Sequence, residues 1–122
     1  FTIHGEAHTG LGVPLYKVLA RFGFTPGKMG KDVPPSEKRR GYRMVVVASA
    51  PDGFQAVFST AELSPDLGPT QAYLVWRVDG KALATDTGPF RLVVPTDKEA
   101  SRSLRQLQRL EVVDLGKRVA SK

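Results

Sequence analysis

Arg91 is the residue of this chain whose type and position most directly indicate chemistry. It stands at the entrance of a short apolar run, residues 92–94, which follows a Gly88-Pro89 turn and ends at Pro95. Turn residues on both sides of an apolar run predict a buried strand, and the proline ends it because proline cannot donate to a sheet ladder. Two interpretations of Arg91 stay open: a guanidinium in a structural ion pair or reaching to water, and a guanidinium that faces an anionic pocket.

The two histidines, His4 and His8, are four residues apart, the spacing at which a helix would present both as metal ligands on one face. Gly5 and Gly10 argue against a helix here. On a strand, residues four apart lie roughly 13 Å from each other, which is too far to share one ion. We therefore expect no metal site at this pair.

Several kinds of chemistry are excluded by composition. The 122 residues contain no cysteine, so this sequence offers no disulfide, thiolate metal ligand, iron–sulfur cluster or cysteine nucleophile. Two histidines without a G-x-S-x-G motif give no recognisable hydrolytic nucleophile, and Ser49, Ser59 and Ser64 are expected at a strand end, a helix cap and a turn. We predict no catalytic residue. The sequence also lacks a run of about 18 apolar residues that could cross a membrane.

Positive charge is concentrated in two segments. The formal net charge is +6, yet residues 44–97 carry three positive and six negative side chains. Residues 28–43 carry six positive and two negative side chains, and residues 98–122 carry seven and three. If the fold brings the two basic segments together, they form a basic patch. The alternative is an ordinary solvated surface with a basic tail.

A basic patch would suit three kinds of partner: an anionic small molecule, an acidic protein or anionic surface, and nucleic acid. The segment 28–43, rich in proline, glycine and charge, is predicted to be a long loop that could bind an acidic protein. Nucleic acid is disfavoured because stacking aromatics are sparse. Tyr42 is the only aromatic residue in 28–43, and residues 98–122 contain none.

The hydrophobic pattern predicts an α+β domain. An apolar stripe at Leu15, Val18, Leu19 and Phe22 predicts one main helix near the N-terminus, over residues 13–23. Ser59 and Glu62 form a capping-box pattern for a second, short helix. Strands are predicted over residues 42–48, 54–58, 72–78, 81–83, 88–95 and 107–115. Strands outnumber helices without regular alternation, which favours a mixed, mainly β-sheet fold.

The length is that of one domain. We predict a single domain over residues 1–115 and a basic C-terminal tail over residues 116–122. The chain begins at Phe1 rather than at a methionine, which we interpret as a trimmed or processed N-terminus.

Five motifs, in order over roughly residues 11–113, resemble the molybdopterin-binding domain of sulfite-oxidase-type oxidoreductases. The G-V-P-L sequence at residues 12–15 is similar to the start of that family's helix. Residues 53–58 with Glu62-Leu63, and residues 79–83, resemble its hairpin with short helix and its N-G-x-x-L turn. Residues 88–95 are similar to its G-x-P-x-R-L-V-V-P motif, and residues 101–112 to its closing motif.

The resemblance implies a fold, a cofactor and a set of site residues. Family enzymes bind a molybdenum–pterin cofactor and carry out two-electron oxygen-atom transfer. The positions that correspond to those holding the pterin phosphate are Arg91, Ser101, Arg102, Ser103 and Arg105. Arginine suits this role because its planar fork of donors matches a phosphate, and serine hydroxyls can complete the cradle. The resemblance also suggests a bacterial, exported protein, periplasmic for instance.

The sequence departs from the family pattern on the metal side. Family enzymes ligate molybdenum through a cysteine before the G-V-P-L helix, and residues 1–8 hold none. Imidazole is no equivalent of a soft thiolate. Asp86-Thr87 stands where family enzymes carry a histidine. The sequence therefore predicts a molybdopterin-binding-like domain without molybdenum redox catalysis that binds a pterin phosphate or another anion, and the alternative is a non-catalytic interaction module.

Overall fold

The computed structural model describes residues 2–3, 6–23, 43–65 and 68–116. Its strands are β1 (Thr2–Ile3), β2 (Glu6–Ala7), β3 (Gly10–Pro14), β4 (Met44–Ser49), β5 (Gln55–Ser59), β6 (Tyr73–Val78), β7 (Lys81–Ala82), β8 (Arg91–Val93) and β9 (Arg109–Asp114). The helices are α1 (Leu15–Arg21) and α2 (Thr60–Leu63), and a 3₁₀ turn covers Ala100–Arg102. His4, most of the basic loop 28–43 and residues 117–122 lie outside the described residues.

The described strands form three antiparallel sheets, which confirms the α+β class dominated by β-structure. Strands β1 and β2 pair as a short hairpin. In the second sheet β6 is central: β3 pairs along one edge, while β7 and β8 pair with opposite ends of the other edge. In the third sheet β4 lies between β5 and β9. The site discussed below lies beside β8.

The main core lies between α1 and the two larger sheets. Leu15 and Leu19 of α1 are buried, as the predicted stripe requires, and they pack in one cluster with Val46, Phe58 and Leu92. The predicted stripe is wrong at Phe22, because the helix ends at Arg21 and Phe22 is 86% exposed. Gly23 follows at φ +87°, a left-handed conformation that glycine adopts readily as a helix stop.

The predicted start of α1 was two residues too early, because residues 10–14 form β3. Gly12 and Pro14 weaken a strand pattern, so the sequence alone does not favour a strand here. Residues 10–14 form a strand because they pair with β6. A Cβ on Gly12 would clash with the carbonyl oxygen of Leu74. Glycine at this position therefore permits the close approach of β3 to β6.

The β4–β5 hairpin and its capping box confirm the sequence prediction. Val46 and Val57 illustrate the alternation, with Val46 buried and Val57 half exposed. Ser59 accepts a hydrogen bond from the Glu62 N–H at 3.1 Å, and the Glu62 carboxylate accepts one from the Ser59 N–H at 3.2 Å. The box ends β5 and begins α2, which fixes the position of the Glu62 side chain.

The segment 103–107 runs beside β8 and supplies the partners of that short strand. The Leu92 N–H donates to the Leu104 carbonyl and the Leu107 N–H to the Phe90 carbonyl, both at 2.8 Å. Gln106 adopts φ +51°, and its side-chain amide donates to the Thr85 carbonyl at 3.0 Å. These bonds hold the segment against the entrance of β8, next to Arg91.

None of the described helices is long and apolar enough to span a membrane.

Candidate anion-binding site

Arg91 opens β8 and projects a half-buried guanidinium. Its Nη2 donates to the carbonyl oxygen of Ser103 at 3.2 Å. Its Nε is fully buried and has no hydrogen-bond partner within the described part of the chain. A buried, unsatisfied donor is unusual and costs about 1–3 kcal/mol, more when the group is charged.

Among the described residues, the charge that acts on Arg91 is the positive charge of Arg105. Burial lowers the pKa of the Arg91 guanidinium, and the positive charge of Arg105 lowers it further. Among the described residues no carboxylate forms an ion pair with Arg91, so its charge is not compensated there. Two guanidinium groups near each other destabilise one another, and an anion between them would relieve both the repulsion and the burial cost.

Ser103 connects Arg91 to the end of β8. Its hydroxyl oxygen accepts a hydrogen bond from the Val94 N–H at 3.0 Å, while its carbonyl accepts from Arg91. The hydroxyl proton is not used in the bond to Val94, so the same group can donate to a ligand. We call Arg91, Ser103 and Arg105 the Arg91 site.

Arg105 is exposed, and its side chain takes part in no hydrogen bond or ion pair among the described residues. Its neighbour Gln106 holds the left-handed turn described above. Non-glycine residues in this conformation cost about 1–3 kcal/mol and occur frequently at binding sites. Arg105 is therefore presented on a constrained turn while its guanidinium is available to a ligand.

Arg102 is bound to two carboxylates, those of Asp97 and Glu62. Its Nε and Nη2 donate to the two oxygens of Asp97, each at 2.8 Å, and Nη1 donates to Glu62 at 2.8 Å. Nη1 also donates to the Val57 carbonyl at 3.1 Å, and the guanidinium lies 4.5 Å from the centroid of the Phe58 ring. These hydrogen bonds raise the pKa of Arg102 above its ordinary value and lower that of Asp97.

Ser101 lies exposed within the 3₁₀ turn. The fold thus joins Arg91 to Ser103 by a hydrogen bond, places Arg105 where its charge acts on Arg91, and gives Arg102 two carboxylate partners of its own. The role of these residues in holding a phosphate stays a prediction.

Sequence reasoning missed the partners of Arg102 and the constrained turn. Asp97 lies five residues before Arg102 and could have been found as a local partner. The sequence indicates Glu62 as a helix-capping residue and as part of a family motif but not as a partner of Arg102, although one carboxylate oxygen accepts from both the Ser59 N–H and Arg102. Nothing in the sequence marks Gln106 as left-handed.

A second polar cluster lies at the other end of the β3–β6 sheet. Nδ1 of His8 is 2.8 Å from Asp79, whose other oxygen accepts from the Thr9 N–H at 2.9 Å. The hydrogen bond with His8 lowers the pKa of Asp79. In the described ranges no three histidine, aspartate or glutamate side chains are placed to hold a metal ion.

Comparison with known proteins gives one match. The family model described as the oxidoreductase molybdopterin binding domain matches residues 9–118. No curated protein and no solved structure matches the chain. The family match spans every residue of the Arg91 site and most of the described elements.

Proposed function

Because the chain belongs to the oxidoreductase molybdopterin-binding domain family, we propose that it binds the phosphate end of a pterin, or another phosphate-bearing ligand, through the Arg91 site. Arg91 and Arg105 provide the charge, and the Ser103 hydroxyl provides a neutral donor. In this proposal the 122 residues bind the ligand without molybdenum redox catalysis.

The observation that carries the proposal is the buried Nε of Arg91, which has no hydrogen-bond partner in the part of the chain that the structure describes. A guanidinium buried for structural reasons would be expected to have a carboxylate partner, as Arg102 has with Asp97. Among the described residues, Arg91 instead has one hydrogen bond to a neutral carbonyl and a second arginine whose charge acts on it. A phosphate group has oxygens enough to accept from Arg91 and Arg105 at once, with charge-assisted bonds of about twice the ordinary strength.

The pterin cofactor of the family fits this site at one end only. The orphaned Nε, the second guanidinium and the serine hydroxyl suit a terminal phosphate. A bound molybdenum–pterin cofactor supplies two-electron redox chemistry. The thiolate that would ligate its metal is not among the 122 residues, so we propose no redox step for this sequence.

The interaction module stays the alternative, but no described contact favours it. It relies on residues 28–43, of which the structure describes only Arg43. Arg43 forms an ion pair with Asp114 at 2.9 Å, so its charge is already balanced.

The test is to identify the ligand that the purified protein retains. Wild-type protein and an Arg91→Met variant would be produced in a molybdenum-replete host, purified, denatured and assayed for oxidised pterin fluorescence, phosphate and molybdenum. We expect a phosphate-bearing ligand in wild type, strongly reduced occupancy in Arg91→Met, and molybdenum well below one atom per chain.

Arg77→Met provides the matched control. Arg77 is an exposed arginine in β6, the strand that pairs with β8, and it lies outside the Arg91 site. This variant should keep the wild-type occupancy. Equal loss in both variants would point to a general effect of charge, and stoichiometric molybdenum would contradict the absence of a metal site.

A further inference from the structure

We propose that Arg102 is a positioning residue: it fixes the 3₁₀ turn so that Ser103 orients Arg91, and it does not itself contact the anion. This inference rests on the proposed function of the Arg91 site. It assigns Arg102 a role different from the phosphate contact that the sequence resemblance implies.

The guanidinium of Arg102 is nearly saturated by the protein. It makes four hydrogen bonds, two to Asp97, one to Glu62 and one to the Val57 carbonyl. An arginine has five N–H donors, so one remains. Its face is also covered on one side by the Phe58 ring at 4.5 Å.

The charge around Arg102 is unfavourable for an anion. One guanidinium lies between two carboxylates, those of Asp97 and Glu62, each 2.8 Å away. The three groups together carry one net negative charge, which would repel a phosphate. Arg91 and Arg105, by contrast, carry two positive charges with no carboxylate bound to either among the described residues.

The contacts of Arg102 join parts of the chain that are far apart in sequence. Val57 and Glu62 belong to the β5–α2 unit, while Asp97 lies in the loop after β8. Arg102 is the last residue of the 3₁₀ turn, and its side chain therefore fastens that turn to both. The Ser103 N–H donates back to the Ala100 carbonyl at 2.9 Å, so the position of Ser103 depends on that of the turn.

Ser103 is in turn hydrogen-bonded to β8 and the residue that follows it. Its carbonyl accepts from Arg91, its hydroxyl oxygen accepts from the Val94 N–H, and the next carbonyl, of Leu104, accepts from the Leu92 N–H. If the 3₁₀ turn shifts, the acceptor that holds the Arg91 guanidinium shifts with it. Lysine cannot replace Arg102, because one ammonium lacks the planar fork that binds both oxygens of Asp97 while also reaching Glu62.

The experiment measures the order of Arg91 in an Arg102→Lys variant. The Nε–H of Arg91 is buried, so it should give a slowly exchanging signal in nitrogen-15 NMR spectra, assigned by its loss in Arg91→Met. We expect Arg102→Lys to exchange this proton at least tenfold faster. We also expect its affinity for inorganic phosphate at fixed ionic strength to fall about tenfold, a loss typical when an orienting residue is removed.

Arg43→Lys is the control, because Arg43 is likewise an arginine in a two-bond pair with an aspartate, at 2.9 and 3.5 Å from Asp114. It should lower stability without changing the Arg91 signal. If both variants lose stability and Arg91 stays protected with phosphate affinity within twofold of wild type, Arg102 is merely structural and the inference is overturned.

Two further results are possible: Arg102→Lys does not fold, or wild type binds no phosphate. If Arg102→Lys fails to fold, the same measurements are made on Asp97→Asn, which keeps Arg102 and Glu62. We again expect faster exchange of the Arg91 Nε–H and weaker phosphate binding. Unchanged exchange and affinity would again overturn the inference. Should wild type bind no phosphate, the proposed function fails, while the exchange rate of the Arg91 Nε–H still decides whether Arg102 orients Arg91.

Discussion

Arg91 and Ser103 are joined by a 3.2 Å hydrogen bond between the guanidinium Nη2 and the main-chain carbonyl. This bond satisfies one donor but does not compensate the charge of Arg91, because a carbonyl carries only a partial charge, and no carboxylate compensates it within residues 2–3, 6–23, 43–65 and 68–116. The nearby Arg105 adds a second positive charge. An arginine held in this way is preorganised for an anion, since little side-chain entropy remains to be lost on binding.

Arg91→Met removes a buried donor that is unsatisfied among the described residues. The free energy of unfolding should therefore stay unchanged or rise, by at most about 3 kcal/mol. Methionine keeps the apolar stem, and the lost bond to Ser103 offsets part of the gain. Chemical denaturation in ligand-free buffer measures the change. A loss of more than about 1 kcal/mol would show that Arg91 is mainly structural, the other interpretation that its sequence left open.

Asp97→Asn should lower stability by about 1 kcal/mol at pH 7, the upper range for a partly exposed ion pair. The bonds from Arg102 lower the pKa of Asp97, so the folded state holds this proton less tightly than the unfolded state. The stabilisation is therefore present above the ordinary aspartate pKa of about 3.9 and is lost as the pH falls through the folded value. Unfolding at pH 7 and pH 3 tests this, and a difference that does not shrink at pH 3 would contradict it.

Gly12→Ala should destabilise the protein by about 1–3 kcal/mol, the cost of forcing an extra carbon into a packed site. The new Cβ would meet the Leu74 carbonyl and separate β3 from β6. Thermal unfolding measures the loss. Gly53→Ala is an instructive comparison, because at Gly53 the strain comes from φ +90° and no atom lies within 4 Å of the added carbon. No side-chain substitution in β6 is expected to rescue Gly12→Ala, because the atoms that the added carbon meets belong to the main chain of Leu74 and Val75.

Ser59→Ala should cost about 1 kcal/mol, the usual value of an N-cap serine. It removes the acceptor of the Glu62 N–H at 3.1 Å, and Glu62 also binds Arg102. We therefore expect a coupling above about 0.5 kcal/mol in a double-mutant cycle between Ser59→Ala and Arg102→Lys. Additive losses within about 0.3 kcal/mol would show that the cap and the Arg102 cluster are independent.

The elements that local pattern determines could be predicted from the sequence. The β4–β5 hairpin follows from alternation around a turn at residues 51–53, and the capping box follows from the three-residue spacing of Ser59 and Glu62. The core of α1 follows from the spacing of Leu15 and Leu19. In each of these, neighbours within about five residues carry the information.

The features that depend on distant parts of the chain could not be predicted. Residues 10–14 form a strand because β6 pairs with them, and their glycine-rich sequence does not favour one. Arg102 was interpreted beside Arg91 because both are arginines in motifs of one family, yet Glu62, forty residues earlier, takes one of its donors. That Arg91 has no carboxylate partner among the described residues is likewise a property of the fold.

The central claim is tested most directly by thermal unfolding of wild type and Arg91→Met in increasing inorganic phosphate, with chloride replacing it at constant ionic strength. A ligand that binds only the folded state stabilises it by RT ln(1 + [L]/Kd), about 2.7 kcal/mol at one hundred times Kd. Phosphate should raise the Tm of wild type progressively, and that of Arg77→Met equally, but not that of Arg91→Met. Equal Tm shifts in wild type and Arg91→Met, or no shift in wild type, would contradict an anion site at Arg91.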